Sequence, residues 1–125
     1  MSNEVARTKK VMVIDDDQIY RELLSIALRG AGYETVSAEN GAKALAMLEE
    51  AKPDALLVDM LMPVMDGLRF LHALRDEAKV TTPALVLTCM DSKAFVIDAL
   101  LAGAKDVLTK PVDLDVLLGK LAALC

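Results

Sequence analysis

Three aspartates stand at the ends of short apolar runs and are the strongest candidates for chemistry in this chain. Asp15 and Asp16 follow the run 11–14, and Asp59 closes the run 55–59 ahead of a segment containing proline and glycine. A carboxylate at the end of a buried strand adds little to stability, because burying a charge costs free energy unless the charge is paired. These positions therefore favour a functional role.

A hydroxyl and a lysine end two further apolar runs. Thr88 follows the run 84–87, and Lys110 follows 107–109. Each group alone has a structural interpretation, since aspartate caps helices and forms turns, threonine caps turns and lysine is normally solvated. Independent caps would not be expected to place polar groups at the same end of four different strands. Together these residues predict one site.

The chemical composition of this site predicts phosphoryl transfer. Clustered carboxylates repel one another, and a divalent cation relieves the repulsion. Oxygen ligands without sulfur or imidazole select Mg²⁺, which keeps several waters and takes other oxygens from phosphate. A lysine and a hydroxyl opposite the metal suit the remaining phosphoryl oxygens. The residues thus predict an aspartate that accepts a phosphoryl group.

Strands and helices alternate along the chain and would position these groups. The predicted strands are 11–14, 34–38, 55–59, 84–88 and 106–109, and the predicted helices are 18–29, 41–50, 67–76, 93–102 and 114–124. Continuous apolar strands separated by helices indicate a parallel sheet covered on both faces. With right-handed crossovers, this predicts an α/β fold of (βα)5 type, a three-layer sandwich. Ligands bind such sheets beyond the carboxyl ends of the strands, where the polar groups would meet.

Apolar periodicity predicts the faces of three helices. The residues concerned are Ile19, Leu23, Ile26 and Ala27 in the first helix, Leu68, Leu71 and Leu74 in the third, and Leu114, Leu117, Leu118 and Leu121 in the fifth. Each set is expected to lie on one face of its helix, with that of the third helix buried. Gly103 is expected to end the fourth helix.

Size and composition bound the function. The 125 residues indicate one domain at 11–125 after a polar N-terminal tail at 1–10. The net charge of −5 argues against a nucleic-acid surface, and no apolar stretch is long enough to span a membrane. Cys89 and Cys125 form no disulfide or zinc-binding pattern, so a cytoplasmic location is expected.

Several short segments, taken in order, resemble one family over essentially the whole chain. They are 13–17, 32–36, 40–45, 53–54, 57–67, 103–106 and 108–111. The chain resembles response-regulator receiver domains of two-component (phosphorelay) signalling, and in particular the chemotaxis response regulators. The resemblance implies a flavodoxin-like fold with strand order 2-1-3-4-5.

The resemblance also implies roles for individual residues. Asp59 would be the phosphoacceptor. Asp16 would bind Mg²⁺ directly and Asp15 through water, with Asp59 and the backbone carbonyl of Leu61 as further ligands. In the same way, Thr88 and Lys110 would contact the phosphoryl group, and the Lys110–Pro111 peptide bond would be cis.

The expected donor is a phosphohistidine on a sensor histidine kinase or on a histidine phosphotransfer protein. Receivers of this kind also react with small molecules such as acetyl phosphate. They catalyse only their own phosphorylation and dephosphorylation and are switches, not metabolic enzymes. The added charge would draw Thr88 inward and change the face formed by the fourth helix, fifth strand and fifth helix. That face would then bind a downstream effector or a second copy of the chain.

Two departures from the family pattern affect the expected behaviour. Many receivers have tyrosine or phenylalanine three residues before the active-site lysine, where this chain has Val107. Coupling to the output face is therefore expected to be weaker or to use other residues, and the alternative is that the valine simply packs. Leu61 and Met90 flank the phosphoryl position, and apolar side chains there predict a long-lived acyl phosphate because they hinder an attacking water.

Two alternatives share parts of this pattern. A haloacid-dehalogenase-like phosphatase also uses an aspartyl phosphate with Mg²⁺, and 15–17 contains its Asp-x-Asp pattern, but its nucleophile ends the first strand. A degenerate receiver that serves only as a docking module would lack a working site. The full set of three aspartates, threonine and lysine argues against the second alternative.

Overall fold

The computed structural model describes residues 8–60, 62, 65–89 and 93–125. The strands are β1 (Lys10–Ile14), β2 (Glu34–Ala38), β3 (Ala55–Asp59), β4 (Ala84–Thr88) and β5 (Asp106–Thr109). The helices are α1 (Gln18–Gly30), α2 (Gly41–Ala51), α3 (Gly67–Asp76), α4 (Lys93–Leu101) and α5 (Leu114–Leu124). Every predicted element is present, with bounds that differ from the prediction by at most one residue.

The strands form one parallel sheet in the order β2-β1-β3-β4-β5. This confirms the predicted flavodoxin-like α/β fold and its strand order. In the register of the central strands, Ile14 pairs with Val58 and Asp59 pairs with Leu87. The polar residues that follow or end β1, β3, β4 and β5 therefore lie along the same edge of the sheet.

The core consists of two aliphatic clusters, one on each face of the sheet. Alternate residues of the central strands point to opposite clusters, so that Met12 and Val58 belong to one and Val13 and Leu57 to the other. The first cluster packs against α2, α3 and α4 through residues such as Phe70, and the second packs against α1 and α5. Burial on both faces explains why the central strands are apolar without alternation.

The first helix packs by a different face from the periodic set identified in the sequence. Ile19, Leu23 and Ile26 are 72%, 59% and 60% exposed, whereas Leu24 and Leu28 are buried against the sheet. Both sets have helical spacing, so periodicity alone did not distinguish the core face from the solvent face. The three exposed residues form an apolar stripe, called here the helix-1 stripe.

The predicted faces of α3 and α5 are largely correct. Leu71, Leu74, Leu117 and Leu121 are fully buried. Leu68 and Leu118 are only partly buried against the core clusters, and Leu114 is 45% exposed at the start of its helix. The buried leucines anchor each helix by its middle turns.

Local signals in the sequence account for where the helices begin and end. Asp17, Asn40, Asp66 and Asp113 are N-caps whose side chains accept hydrogen bonds from backbone N–H groups of the first turn. Gly103 follows α4 with a φ of 112°, a left-handed conformation that favours glycine. Within the described residues, none of the helices combines the length and apolar character needed to cross a bilayer.

Candidate functional site

Three carboxylates meet at the carboxyl edge of the sheet. Asp15, Asp16 and Asp59 each offer an oxygen atom that lies within 4.8 Å of the other two. Asp15 and Asp59 are only 1% and 7% exposed, while Asp16 is exposed. The adjacent strands β1 and β3 bring these residues together although 44 positions separate Asp15 from Asp59 in the chain.

Asp15 is held rigidly by its surroundings. Its backbone N–H donates to the carbonyl of Ala38, at 3.2 Å, which continues the pairing of β1 with β2 beyond the last strand residue. Its Oδ1 accepts a hydrogen bond from the N–H of Asp17 at 2.9 Å. Its carbonyl accepts one from Nη1 of Arg21 at 2.7 Å. The orientation of this buried carboxylate is therefore determined by β1, β2 and α1 together.

Lys110 supplies the positive charge beside the carboxylates. Its Nζ lies 2.8 Å from Oδ2 of Asp15 and 3.4 Å from Oδ1 of Asp59. Burial lowers the pKa of Lys110, but the hydrogen bond and charge of Asp15 together with the charge of Asp59 raise it by more, so the net pKa lies above the ordinary lysine value. The ammonium group is thus charged at neutral pH and offsets part of the repulsion between the two buried aspartates.

Thr88 occupies the end of the neighbouring strand. It is 1% exposed and follows Leu87, the residue that pairs with Asp59. Its carbonyl accepts a hydrogen bond from the N–H of Lys110 at 2.7 Å. The backbone of β4 therefore fixes where the lysine leaves β5, and threonine and lysine belong to the same edge of the site.

The end of β3 is packed tightly against the start of α3. A Cβ placed on Gly67 would lie 2.7 Å from the carbonyl oxygen of Asp59 and 2.9 Å from Cα of Met60. The N–H of Gly67 donates to the carbonyl of Met60, and the N–H of Met60 donates to the carbonyl of Leu87. Only glycine allows this approach without displacement, so Gly67 helps to set the position of the Asp59 backbone.

The donor set fits the predicted metal. Asp15, Asp16 and Asp59 offer oxygen ligands alone, and within the described part of the chain no thiol or imidazole joins this cluster. Such a set is typical of Mg²⁺ sites, which use one or a few carboxylates and complete their coordination with water and phosphate. The predicted carbonyl ligand of Leu61 lies outside the described residues, as does Met90.

Two residues near the site were not identified from the sequence. The ring of Tyr20 lies under Lys110, with Nζ 4.4 Å from the ring centroid. Arg21 holds the backbone of Asp15 as described above. Both lie in the first turn of α1, immediately after the aspartates. Their position next to the aspartates is the one feature of the sequence that could have identified them.

Two smaller expectations concern the segment around the lysine. The Lys110–Pro111 peptide bond is cis, as the resemblance implied. Val107 is partly buried and packs against the core cluster that contains Phe70, so it has the role of an ordinary core residue in this conformation.

The chain belongs to the response regulator receiver domain family, whose family model matches residues 11–122. The chain is therefore a receiver domain of two-component signalling, as the resemblance in its sequence indicated.

Individual relatives agree with this membership. Response regulator MprA of Mycobacterium avium is 41% identical over 115 residues, which make up 92% of this chain and 50% of that protein. The chain thus spans about half the length of the curated relatives that it matches.

Solved structures show the same fold. The chemotaxis protein CheY4 of Vibrio cholerae superposes with a TM-score of 0.88 at 34% identity, covering 95% of this chain and 100% of that one. The receiver domain of the Francisella response regulator 1452 superposes with a TM-score of 0.88 at 32% identity, covering 94% and 96%.

Proposed function

We propose that Asp59 accepts a phosphoryl group from a phosphohistidine, in the presence of Mg²⁺, and that this modification switches the receiver between two conformations. The donor is a cytoplasmic sensor histidine kinase or a histidine phosphotransfer protein, and the responding unit is residues 11–125. One observation carries the proposal: three carboxylates lie within 4.8 Å of one another, and the Lys110 ammonium contacts the two that are buried.

The transfer is a single displacement at phosphorus. A carboxylate oxygen of Asp59 forms a bond to phosphorus while the bond from phosphorus to the imidazole nitrogen breaks. The imidazole leaves with the electron pair of that bond and takes up a proton from water. The product is an acyl phosphate on Asp59, and it carries a charge of about −2 at neutral pH in place of −1.

The surrounding residues of the chain stabilise this transfer by charge and position. Asp15, Asp16 and Asp59, with the carbonyl of Leu61, would hold Mg²⁺, which supplies positive charge to the phosphoryl oxygens when bound. Lys110, whose longer contact is the one with Asp59 at 3.4 Å, would move from that carboxylate to a phosphoryl oxygen that does not contact Mg²⁺. The hydroxyl of Thr88 would donate a hydrogen bond to a further phosphoryl oxygen. These groups share the charge that develops in the transition state.

A protein donor suits the surroundings of the site better than a small molecule does. The helix-1 stripe begins at Ile19, four residues after Asp15, and its side chains are mostly exposed. Large exposed apolar side chains beside a site mark a surface that a protein partner covers. A helical donor that packs on this stripe would bring its phosphohistidine to Asp59.

The proposed output face is formed by α4, β5 and α5. Ile97, Leu100 and Leu101 of α4 and Leu114 and Val116 of α5 are exposed apolar residues. Movement of Thr88 at the end of β4 would act on β5 and these helices, since β5 pairs with β4. The modified receiver would then bind a downstream effector, or a second copy of itself, through this face.

The proposal is tested by phosphorylation with ³²P-labelled acetyl phosphate and Mg²⁺. Wild type should take up one phosphoryl group per chain, Asp59→Asn should take up none, and EDTA should abolish labelling of the wild type. Asp66→Asn is the matched control, because asparagine also caps helices and the same charge is removed seven residues away. It should label like the wild type.

Three results would contradict the proposal. Label retained by Asp59→Asn would place the chemistry elsewhere. Continuous turnover of a phosphoester substrate would indicate a phosphatase. Failure of both acetyl phosphate and beryllofluoride to modify the wild-type protein would indicate a docking module without a working site.

A further inference from the structure

Tyr20 makes two contacts that connect α1 to the segment carrying the active-site lysine. Its ring lies 4.4 Å from Nζ of Lys110, measured to the ring centroid. Its hydroxyl accepts a hydrogen bond from the N–H of Val112 at 3.3 Å. One side chain therefore contacts both the ammonium group and the backbone two residues beyond it.

The segment 110–112 is held at both of its ends. The backbone N–H of Lys110 is bound to the carbonyl of Thr88, which holds the start of the segment 110–112. The Tyr20 hydroxyl holds its end through Val112. Tyr20 is itself partly buried and packs against the core cluster between α1 and the sheet, and this packing limits the movement of its ring.

The ring also limits where the lysine side chain can move. Lysine has a flexible four-carbon stem, and holding its ammonium group in one place normally costs conformational entropy. A cation over an aromatic face is attracted to it, and the attraction is stronger where water is excluded. The side chain of Lys110 is only 19% exposed, so the ring offers the ammonium a neutral contact as it exchanges Asp59 for a phosphoryl oxygen.

We propose that Tyr20 is a positioning residue for phosphoryl transfer, which holds Lys110 over its ring and the following backbone through its hydroxyl. The inference rests on the proposed function and extends it to a residue of α1. The two contacts of Tyr20 can be tested separately, because Tyr20→Phe removes the hydroxyl alone and Tyr20→Leu removes both the hydroxyl and the ring.

The first measurement is the NMR signal of the Lys110 side chain in isotopically labelled protein, assigned with Lys110→Arg. A ring this close shifts the neighbouring methylene protons upfield. The wild type and Tyr20→Phe should show the shifted Lys110 signal, and Tyr20→Leu should lose it. This readout needs no phosphodonor and reports position directly.

The second measurement is the maximal rate of labelling by acetyl phosphate at saturating Mg²⁺, with Mg²⁺ affinity measured separately. Tyr20→Leu should lower this rate by about threefold to thirtyfold, as expected for loss of a partly desolvated cation–ring contact, and Tyr20→Phe by less. Mg²⁺ affinity should stay unchanged in both variants, because the two side-chain contacts of Tyr20 described above are with Lys110 and Val112 and not with the three aspartates.

Tyr33→Leu is the matched control. Tyr33 is the other tyrosine of the chain, and it packs against the same core cluster away from the site. Its substitution should leave both the Lys110 signal and the labelling rate as in the wild type.

The outcomes separate this inference from the proposed function. If the wild type is labelled and Tyr20→Leu is labelled at the same rate, the inference about Tyr20 is wrong and the proposed function is unaffected. An equal loss of rate in Tyr33→Leu would also overturn it, since packing would then be the cause. A wild type that takes no label would overturn the proposed function and this inference with it.

Discussion

Asp15 and Asp59 are charged groups that are almost fully buried. In each case, neighbouring groups offset the cost of burying the charge. Lys110 neutralises part of their charge, while the backbone N–H of Asp17 and the guanidinium of Arg21 hold Asp15 in place. Such an arrangement contributes little net stability, because desolvating the charges costs about as much as their attraction returns. The residues are thus better explained by the chemistry proposed for Asp59 than by the needs of folding.

The substitution Gly67→Ala tests how closely the Asp59 backbone is held. The added Cβ would lie 2.7 Å from the carbonyl oxygen of Asp59, so β3 or α3 must shift. We expect the free energy of unfolding to fall by about 1–3 kcal/mol, as for other overpacked sites. We also expect the rate of labelling by acetyl phosphate to fall, because the nucleophile moves.

Gly119→Ala is the control for this substitution. Apart from the backbone of its own helix and its two chain neighbours, no atom of the described residues lies within 4 Å of the position that its Cβ would occupy, and the residue is inside α5. Alanine there should raise stability by roughly 0.5–1 kcal/mol and leave labelling unchanged. Urea unfolding of both variants makes the comparison, and equal stability of Gly67→Ala and wild type would show that the contact is not tight.

Helix α5 is joined to the edge strand by an ion pair as well as by packing. Nζ of Lys120 lies 2.5 Å from Oδ2 of Asp106, and both side chains are about 40% exposed. The hydrogen bond from Lys120 holds the pKa of Asp106 below its ordinary value, against the opposing effect of burial and with help from the N–H of Val107. This pair connects the first residue of β5 to α5, the helix that follows it.

The pair predicts a small, pH-dependent contribution to stability. Because the pKa of Asp106 is lowered in the folded state, its contribution is present above the unfolded carboxyl value of about 4 and is lost as pH falls through the lower folded value. Asp106→Asn keeps an acceptor for Val107 and removes the charge. It should lower the free energy of unfolding by less than about 1 kcal/mol at pH 7, since solvent screens the pair, and by progressively less as the pH falls below about 4.

Lys120→Met should have a similar effect and none in addition when combined with Asp106→Asn. Thermal or urea unfolding from pH 3 to pH 8 measures the difference. A loss of stability in Asp106→Asn that is the same at every pH would mean that its charge is not the cause.

Across the whole molecule, the candidate site lies at the centre of the sheet, and the proposed output face lies at the side formed by α4, β5 and α5. Strands β3 and β4 are completely buried, whereas β5 is an edge strand whose residues are only partly buried or exposed. Elements with little burial open and rearrange at lower free energy than central ones. A change at Thr88 is therefore expected to be transmitted toward β5 and its helices more than toward the buried centre.

Hydrogen exchange tests this direction of response. Loading with beryllofluoride and Mg²⁺ should change amide exchange in α4, β5 and α5, and leave α2 as it was. Thr88→Val should still bind beryllofluoride but show a smaller change in those elements, because its side chain no longer donates to the phosphoryl position. An equal change in α2, or an unaltered response in Thr88→Val, would contradict the proposed route.

The order of the elements, their bounds to within one residue, and the aspartates, threonine and lysine of the site were predicted from the sequence alone, whereas Tyr20 and Arg21 were not. The signals concerned are local: apolar runs of strand length, aspartates at helix starts, and glycines and prolines at their ends. The meeting of Asp15, Asp59 and Lys110 followed from them, because parallel strands present their carboxyl ends at a common edge.

Only the tertiary structure decided which side of α1 is buried and what holds the lysine. Ile19, Leu23 and Ile26 have the same helical spacing as core residues, and it is the packing of Leu24 and Leu28 on the sheet that leaves them in solvent. The contact of Tyr20 with Lys110 joins residues 90 positions apart in the chain, and no local pattern encodes such a distance.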